Sequence, residues 1–318
     1  MTTPVEIIDE DTGRGVPVAI GARPTLSPSA LSAYSICGRR GQYYQDPNIP
    51  KGPPNLNMAR GSAWHAALEW FNINRLNEGE DWARMLSAKA SLTMNGVMFD
   101  TLEQITSLDE FVLDEGETIT NTILHLSNME DRWRRGSSDD RWLSEGVTLV
   151  DKEMHLFIPE FGLTHDFNGY ADAVYKVDRV TGHVGVDYKA TSKVWGGDKG
   201  AGNPRKLIQA TLYAEAYERL TGYPMDWFAY DVMTVAGKFQ RVWVSTSPEI
   251  RRPFLERWEE QTTTIMLHQN AGIDMPTNPD HILCSAKWCG FWDICPMGEA
   301  LAQDLTTNYQ QIGKAPTP

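Results

Sequence analysis

The chain has 318 residues, of which 41% are hydrophobic and 22% are charged. This composition supports one large domain or two modest ones, and it excludes a disulfide-stabilised miniprotein and a wholly disordered chain. The net charge is −13, so the protein as a whole repels polyanions and any nucleic-acid site must be local. The acidic start and the lack of a stretch of roughly 20 apolar residues predict a soluble, cytoplasmic protein with no membrane partner.

Local patterns divide the chain into an N-terminal arm (1–25), a single domain (26–305) and a tail (306–318). Within the domain, 77–145 predicts a helical insertion, 147–191 contains the strands that carry the chemistry, and 284–305 is rich in cysteine. Helices are predicted over 27–37, 61–76, 203–221, 248–269 and 286–305, with a loop over 37–61. Strands are predicted over 147–158, 167–177, 184–190, 227–235 and 239–245. The expected fold is therefore an α/β fold with a mixed sheet flanked by helices.

Two of the predicted strands carry a group of charged residues. Asp187 and Lys189 alternate with apolar residues, so they share one face of their strand. A turn near Gly182 folds the preceding strand back, which brings Asp172 to within a residue or two of the position opposite Asp187. Paired carboxylates suit a hard divalent cation such as Mg²⁺. A solvated hairpin with a cross-strand salt bridge explains the same pattern, and spacing alone does not decide between the two.

The segment from Gly169 to Lys189 resembles the catalytic strands of the PD-(D/E)XK nuclease superfamily, in particular its RecB-like branch, although Ala171 stands where the superfamily's name has proline. The resemblance covers roughly residues 27 to 300. It implies a restriction-endonuclease-like core and metal-dependent hydrolysis of phosphodiester bonds. Three further motifs support the resemblance. They are His65 in a Gly-x-x-x-His helix, the pair Gln209 and Tyr213, and the acidic Glu153, although Asp151 and Lys152 beside Glu153 are also typical of an ordinary exposed strand face.

The resemblance also implies a role for each of these residues. His65, Asp172, Asp187 and the backbone carbonyl of Tyr188 would bind Mg²⁺ or Mn²⁺, and Lys189 would position the attacking water. Gln209 and Tyr213 lie four residues apart, so they share a helix face that can point toward the site. Taken alone, a histidine beside Trp64 is more often a packing residue than a ligand.

The four cysteines, Cys37, Cys284, Cys289 and Cys295, are grouped as one plus three, which does not suit two disulfides in a reducing compartment. Their order is similar to that of iron–sulfur exonucleases such as AddB and the phage or CRISPR-associated single-strand exonucleases. This implies a [4Fe–4S] cluster, although the gap between Cys284 and Cys289 is longer than in those relatives. Zinc accepts the same ligands, and unligated packing cysteines remain an alternative.

A glycine-rich segment after Lys189 combines cations with one aromatic side chain. A clamp on DNA phosphates and bases and an ordinary surface loop explain it equally well. Its candidate contact residues are Lys193, Trp195, Lys199, Arg205 and Lys206.

The resemblance implies a Mg²⁺- or Mn²⁺-dependent DNA exonuclease that acts on single-stranded DNA or DNA ends in recombination, repair, or phage or CRISPR-related processing. Any helicase or recombination partner would be a separate chain, because no P-loop motif is visible. Two alternatives stay open. They are a non-catalytic iron–sulfur DNA-binding or assembly subunit, and a zinc-stabilised interaction protein.

Overall fold

The computed structural model describes residues 5–9, 14–18, 24–49, 55–78, 88–107, 118–195, 204–281, 283–285 and 289–300. For 5–9, 14–18, 75–78, 88–92 and 204–207 it describes the main chain only. In these ranges, no helix combines the length and the apolar character needed to cross a membrane.

A six-stranded mixed sheet forms the centre of the fold. Its strands are β3 (Thr25–Leu26), β4 (Val147–Ile158), β5 (Asp166–Val177), β6 (His183–Thr191), β7 (Trp227–Thr234) and β8 (Phe239–Ser245). They lie in the order β3-β5-β6-β7-β8, with β4 paired to β5. The pairs β3–β5 and β6–β7 are parallel, and the other pairs are antiparallel. The mixed α/β architecture predicted from the sequence is thus confirmed.

Helices cover the sheet on both sides. They are α1 (Pro28–Ile36), α2 (Gly38–Gln45), α3 (Leu56–Glu78), α4 (Ala88–Thr106), α5 (Ile119–Arg135), α6 (Pro204–Thr221) and α7 (Pro248–Ala271). One hydrophobic core lies between the sheet and helices α1, α6 and α7, and the other lies between the sheet and helices α3, α4 and α5. In β7, Tyr230 belongs to the first core and Ala229 to the second, as expected for a strand that is buried on both faces.

The loop predicted over 37–61 is wrong, because helix α2 occupies part of it and α3 begins at Leu56. The side chain of Asn55 accepts a hydrogen bond from the amide of Met58 at 3.1 Å, which caps α3 earlier than the apolar stripe indicates. In α2, Gly41 packs on the ring of Tyr34, where a Cβ would stand 2.2 Å from the nearest ring atom. That contact between helices has no signature in the local sequence.

The two ends of the chain differ from prediction in smaller ways. The N-terminal arm contains an antiparallel pair of strands, β1 (Val5–Asp9) and β2 (Arg14–Val18), which form a sheet of their own. The helix predicted over 286–305 is not continuous, because Trp292–Ile294 form a 3₁₀ turn. Residues 286–288 and 301–305 lie outside the described part of the chain.

Candidate active site

The site lies where β5 and β6 separate. The last paired residues there are Ala173 and Val186, and continuing this register by one step places Asp172 opposite Asp187. The carboxylate of Asp172 accepts a hydrogen bond from the backbone amide of Tyr188 at 2.7 Å. Asp172 therefore fills the gap between the strands with a side-chain contact in place of a backbone pair.

A β-bulge in β4 brings a third carboxylate to the same row. The register of β4 against β5 shifts by one residue between Leu149 and Asp151. After the shift, Lys152 pairs with Ala173, so that Glu153 and not Lys152 stands opposite Asp172. Glu153 itself has a φ of 45°, a left-handed conformation that is rare for residues other than glycine. Strand β4 thus departs from regular geometry at the residue that adds an acid to the site.

Helix α3 supplies an imidazole to this row. His65 Nδ1 lies 3.4 Å from Asp172 Oδ2. Ligand atoms of His65, Glu153 and Asp172 all lie within 4.8 Å of one another, which makes one nitrogen and two oxygen donors available to a divalent cation. Glu69, one turn further along α3, forms an ion pair with Lys152 at 3.6 Å.

Asp187 and Lys189 form a second group beside the first. Lys189 Nζ lies 2.5 Å from Asp187 Oδ2, and Gln209 Nε2 donates to Asp187 Oδ1 at 2.8 Å. The side chain of Asp187 is 4% exposed and that of Lys189 is 26% exposed. Each carboxylate oxygen offers two lone pairs, so these contacts leave Asp187 able to bind a cation as well.

The charges of the site perturb one another. Burial lowers the pKa of His65, but the neighbouring Asp172 outweighs burial and raises that pKa to about 9. Burial raises the pKa of Asp172, and the opposing effect of His65 and Lys189 leaves it below its usual value. Burial and the charge of Asp172 together raise the pKa of Asp187 despite Lys189. A ligating imidazole must be neutral, so cation binding at His65 would release a proton.

Helix α6 packs directly on β5 beside these residues. Gly169 leaves room for the ring of Tyr213, because a Cβ at Gly169 would stand 2.7 Å from Tyr213 Cε1. Tyr213 and Gln209 share one face of α6, and Tyr213 is 7% exposed. The two motifs therefore pack against each other, with Gly169 of β5 against Tyr213 of α6.

The segment proposed to contact DNA is described only in part. Gln240 holds the backbone of Trp195 with two hydrogen bonds, at 2.9 and 2.8 Å. The ring of Trp195 packs on Tyr230 with the centroids 5.4 Å apart. The backbone carbonyl of Lys193 accepts a hydrogen bond from Thr191 Oγ1 at 2.8 Å. The side chains outside the described residues are those of Lys199, Arg205 and Lys206.

The four cysteines line one partly open pocket, and all four are free thiols. Burial, and after it the neighbouring thiols, raise the pKa of Cys284. Although all four belong to the described part of the chain, no three of their sulfur atoms lie within 4.8 Å of one another. The structure thus gathers the thiols around a shared space that is wider than a single-ion site.

Contacts between the two ends of the chain surround this pocket. Arg39 forms an ion pair with Asp274 at 2.6 Å, and Asn278 donates to the carbonyl of Ile36 at 2.9 Å. Tyr43 donates to the carbonyl of Ile294 at 3.2 Å. The segment after Cys37 is therefore held against the C-terminal cysteine segment by contacts that do not involve sulfur.

A family model described as the PD-(D/E)XK nuclease superfamily matches residues 25–296. The chain belongs to this superfamily. A solved structure from Eubacterium rectale, of a protein described provisionally as an exonuclease, is 13% identical with a TM-score of 0.42. The match covers 76% of this chain and 91% of that one. No functionally curated protein matches the chain.

Membership of the PD-(D/E)XK superfamily makes the chain a hydrolytic nuclease with DNA as its substrate class. Sequence reasoning gave little weight to Glu153, because Asp151 and Lys152 beside it suggest an ordinary exposed strand face. The signal that raises its importance is the bulge, which is visible only in the pairing of β4 with β5.

Proposed function

We propose that this nuclease is a Mg²⁺- or Mn²⁺-dependent DNA exonuclease of the RecB-like branch. One observation carries the proposal. The donor atoms of His65, Glu153 and Asp172 lie within 4.8 Å of one another, beside Asp187 and Lys189, whose ion pair measures 2.5 Å. A cation-binding group next to a fixed ammonium is what the hydrolysis of a phosphodiester requires.

The cation would be held by His65, Glu153, Asp172 and Asp187, with the carbonyl of Tyr188 as a further proposed ligand. When bound, it would supply Lewis-acid activation of water and of the phosphate oxygens. Carboxylate oxygens favour Mg²⁺ and Mn²⁺, and the imidazole adds a nitrogen donor.

Lys189 acts as a positioned cation. Burial lowers the pKa of Lys189, but Asp187 and Asp172 outweigh burial and raise it above its usual value. The Nζ group therefore keeps its proton at neutral pH. It orients the attacking water and stabilises negative charge on the phosphate.

Gln209 and Tyr213 act as positioning residues. Gln209 restrains Asp187 through the hydrogen bond to Oδ1 at 2.8 Å, and Tyr213 fixes α6 against Gly169. With Asp187 restrained from one side by Gln209, its other oxygen is free to direct Lys189 toward the substrate. This arrangement orients Lys189 before the substrate arrives.

We also propose a [4Fe–4S] cluster on Cys37, Cys284, Cys289 and Cys295. A zinc–sulfur bond measures about 2.3 Å, so any two sulfurs bound to one zinc lie within roughly 4.6 Å. The sulfurs here are more widely spaced, since no three of these four described thiols fall within 4.8 Å of one another. All four thiols line one shared pocket, and this arrangement supports a polynuclear cluster. Its role would be to join the chain ends, with folding coupled to cluster assembly.

The cellular role is proposed from the sequence resemblance. It is processing of DNA ends or single strands in recombination, repair, or phage or CRISPR-related pathways, in the cytoplasm and beside a separate helicase or recombination partner. Lys193, Trp195, Lys199, Arg205 and Lys206 remain the proposed DNA contacts. Because the net charge is −13, we expect DNA binding that is modest and sensitive to salt.

The test of catalysis is digestion of DNA labelled at either end by protein purified anaerobically, with Mg²⁺, Mn²⁺ or EDTA. We expect cleavage only with a cation, and a loss of about 100-fold or more in Lys189→Met. The matched control is Lys176→Met, which removes an exposed lysine of the same hairpin. Cleavage by Lys189→Met at the rate of the control would refute the mechanism. DNA binding without cleavage by the wild type would favour the non-catalytic subunit.

The test of the cluster is the absorbance near 400 nm of the anaerobic protein, together with its iron and zinc content. We expect about four iron atoms per chain and a brown protein. Cys289→Ser should lose the colour and much of the soluble yield. A colourless wild type with one zinc per chain would contradict the cluster and support a zinc-stabilised protein.

A further inference from the structure

A stacked pair of aromatic rings lies beside the candidate active site. His155 of β4 pairs with Tyr170 of β5 across the sheet, and their rings are 4.6 Å apart with an interplanar angle of 14°. Neither ring belongs to the two hydrophobic cores of the described chain. Both residues are half-buried, so the pair remains partly accessible to a ligand.

The orientation of the imidazole is fixed from two sides. His155 Nε2 lies 2.8 Å from Asn168 Oδ1, and the ring of Phe157 lies 6.3 Å away on the same strand. A ring held in this way loses little rotamer freedom when another flat group stacks on it. The pair is therefore preorganised for stacking.

Strand geometry places Tyr170 next to the candidate metal ligands. Phe167 and Ala171 pack in the first core, so Tyr170 faces the other side of the sheet, which α3 covers. His65 of α3 contacts Asp172 from that side, and Tyr170 and Asp172 are about 7 Å apart along the strand. A nucleotide whose phosphate lies at Asp172 can thus bring its base, or that of its neighbour, to Tyr170.

The charge of the protein gives stacking a particular value here. At a net charge of −13, general attraction to phosphates is weak. Stacking on an aromatic ring does not depend on charge and accepts any base, so it can hold a strand against an acidic protein.

We propose that Tyr170 and His155 form a nucleobase-stacking subsite for the nucleotide next to the scissile phosphate. This inference rests on the proposed nuclease function. Its ligand class is a single-stranded nucleic acid with an unpaired base. Tyr170 lies on the same strand as Asp172. The ring of His155 stacks on Tyr170, and Asn168 holds the imidazole in place through Nε2.

The first experiment measures the affinity for a labelled single-stranded DNA oligonucleotide in EDTA by fluorescence anisotropy. We expect Tyr170→Ala to raise Kd at least about fivefold, close to 1 kcal/mol at 1.4 kcal/mol per tenfold, and Tyr170→Phe to stay within about twofold of wild type. The slope of log Kd against log salt should stay unchanged in Tyr170→Ala, because no phosphate contact is lost.

The chain offers a matched control for this experiment. Tyr223 also packs on a histidine, His183, with the ring centroids 4.9 Å apart. His183 begins β6, four residues before Asp187, so this second pair lies about 13 Å along the strand from the site. Tyr223→Ala should bind DNA within about twofold of wild type. An equal loss of affinity in the two alanine variants, or none in Tyr170→Ala, would overturn the subsite.

The second experiment uses the wild-type chain and is independent of how the variants fold. An abasic residue is placed at each of the first few positions from a DNA end. In the wild type we expect one position to weaken binding at least about fivefold, and the other positions to stay within about twofold of the intact oligonucleotide. Uniform binding across all positions would overturn the subsite. If the wild type binds with this pattern but never cleaves, only the nuclease proposal fails; cleavage without the pattern removes only the subsite.

Discussion

Replacing Gly169 with alanine should disturb the site through packing alone. A Cβ at this position would lie 2.7 Å from Tyr213 Cε1 and 3.1 Å from Phe167 Cζ. Ordinary van der Waals contact begins near 3.4 Å, so the shorter distance falls about 0.7 Å short of it. Tyr213 is almost fully buried, so its ring has no open space into which to rotate, and we expect α6 to shift instead.

The size of the effect follows from these distances. Overpacking of this kind costs about 1–3 kcal/mol of unfolding free energy. A shift of α6 by about 0.7 Å would also stretch the hydrogen bond of 2.8 Å between Gln209 and Asp187 to the outer limit of such a bond. Because misplacement by 1 Å can reduce turnover by about 100-fold, we expect a loss of roughly tenfold or more in DNA cleavage.

Urea unfolding and DNA digestion of Gly169→Ala test both numbers. Gly96→Ala is the control, because no atom lies within 4 Å of its added Cβ. In the interior of α4, alanine should raise the unfolding free energy by about 1 kcal/mol relative to glycine. In a Tyr213→Ala background most of the cost in stability of Gly169→Ala should disappear. A Gly169→Ala protein with the wild-type urea midpoint, or with its full cost retained in that background, would refute the reasoning.

Three further predictions concern other parts of the fold. Arg241→Met leaves Asp231, which is 4% exposed, without its bidentate partner at 2.6 and 2.7 Å, and should cost about 3–5 kcal/mol in urea unfolding; a loss below about 1 kcal/mol would contradict this. Burial lowers the pKa of His183 below 6.5, so the unfolded chain takes up the proton first, and stability should fall as pH drops below about 6.5. Thermal melting at pH 7.5 and 5.5 should show a smaller difference in His183→Gln than in wild type. Glu153→Gln should weaken Mn²⁺ binding, measured by calorimetry, with an unchanged urea midpoint; unaltered affinity would remove this residue from the site.

The parts of the fold that local signals determine were predicted from the sequence. The strand predicted over 147–158 matches β4, which runs from Val147 to Ile158. The turn between β5 and β6 was placed correctly by Gly182, whose φ is 81°. A Cβ at Gly182 would stand 2.2 Å from the carbonyl oxygen of Pro224, which explains why glycine suits the turn.

Features set by distant contacts could not be predicted. Helix α2 has no apolar stripe of its own, and its half-buried Arg39 and Gln42 contact residues 274–276, more than 200 positions later. The fixed backbone of Trp195 depends on Gln240, which belongs to another strand. The local periodicity of the sequence therefore predicts neither contact.

The convergence of the two strands at the candidate site was predicted, but the contribution of β4 was not. Asp172, Asp187 and Lys189 follow from alternation along two strands joined by a turn. The place of Glu153 depends on an extra residue in β4, and a shift by one residue moves every later side chain to the other face. His155 and Tyr170 look like ordinary strand residues until their rings are seen to stack.

The docking of Arg39 and Ile36 on Asp274 and Asn278 has a consequence for synthesis of the protein. Helices α1 and α2 have only nine and eight residues, and their counterpart is translated after most of the sheet. Because isolated helices of this length are marginally stable in water, we expect both to become fully ordered only when residues 274–278 have been made. The entropic cost of closing a loop grows only slowly with its length, so the large separation in sequence adds little to the cost of these late contacts.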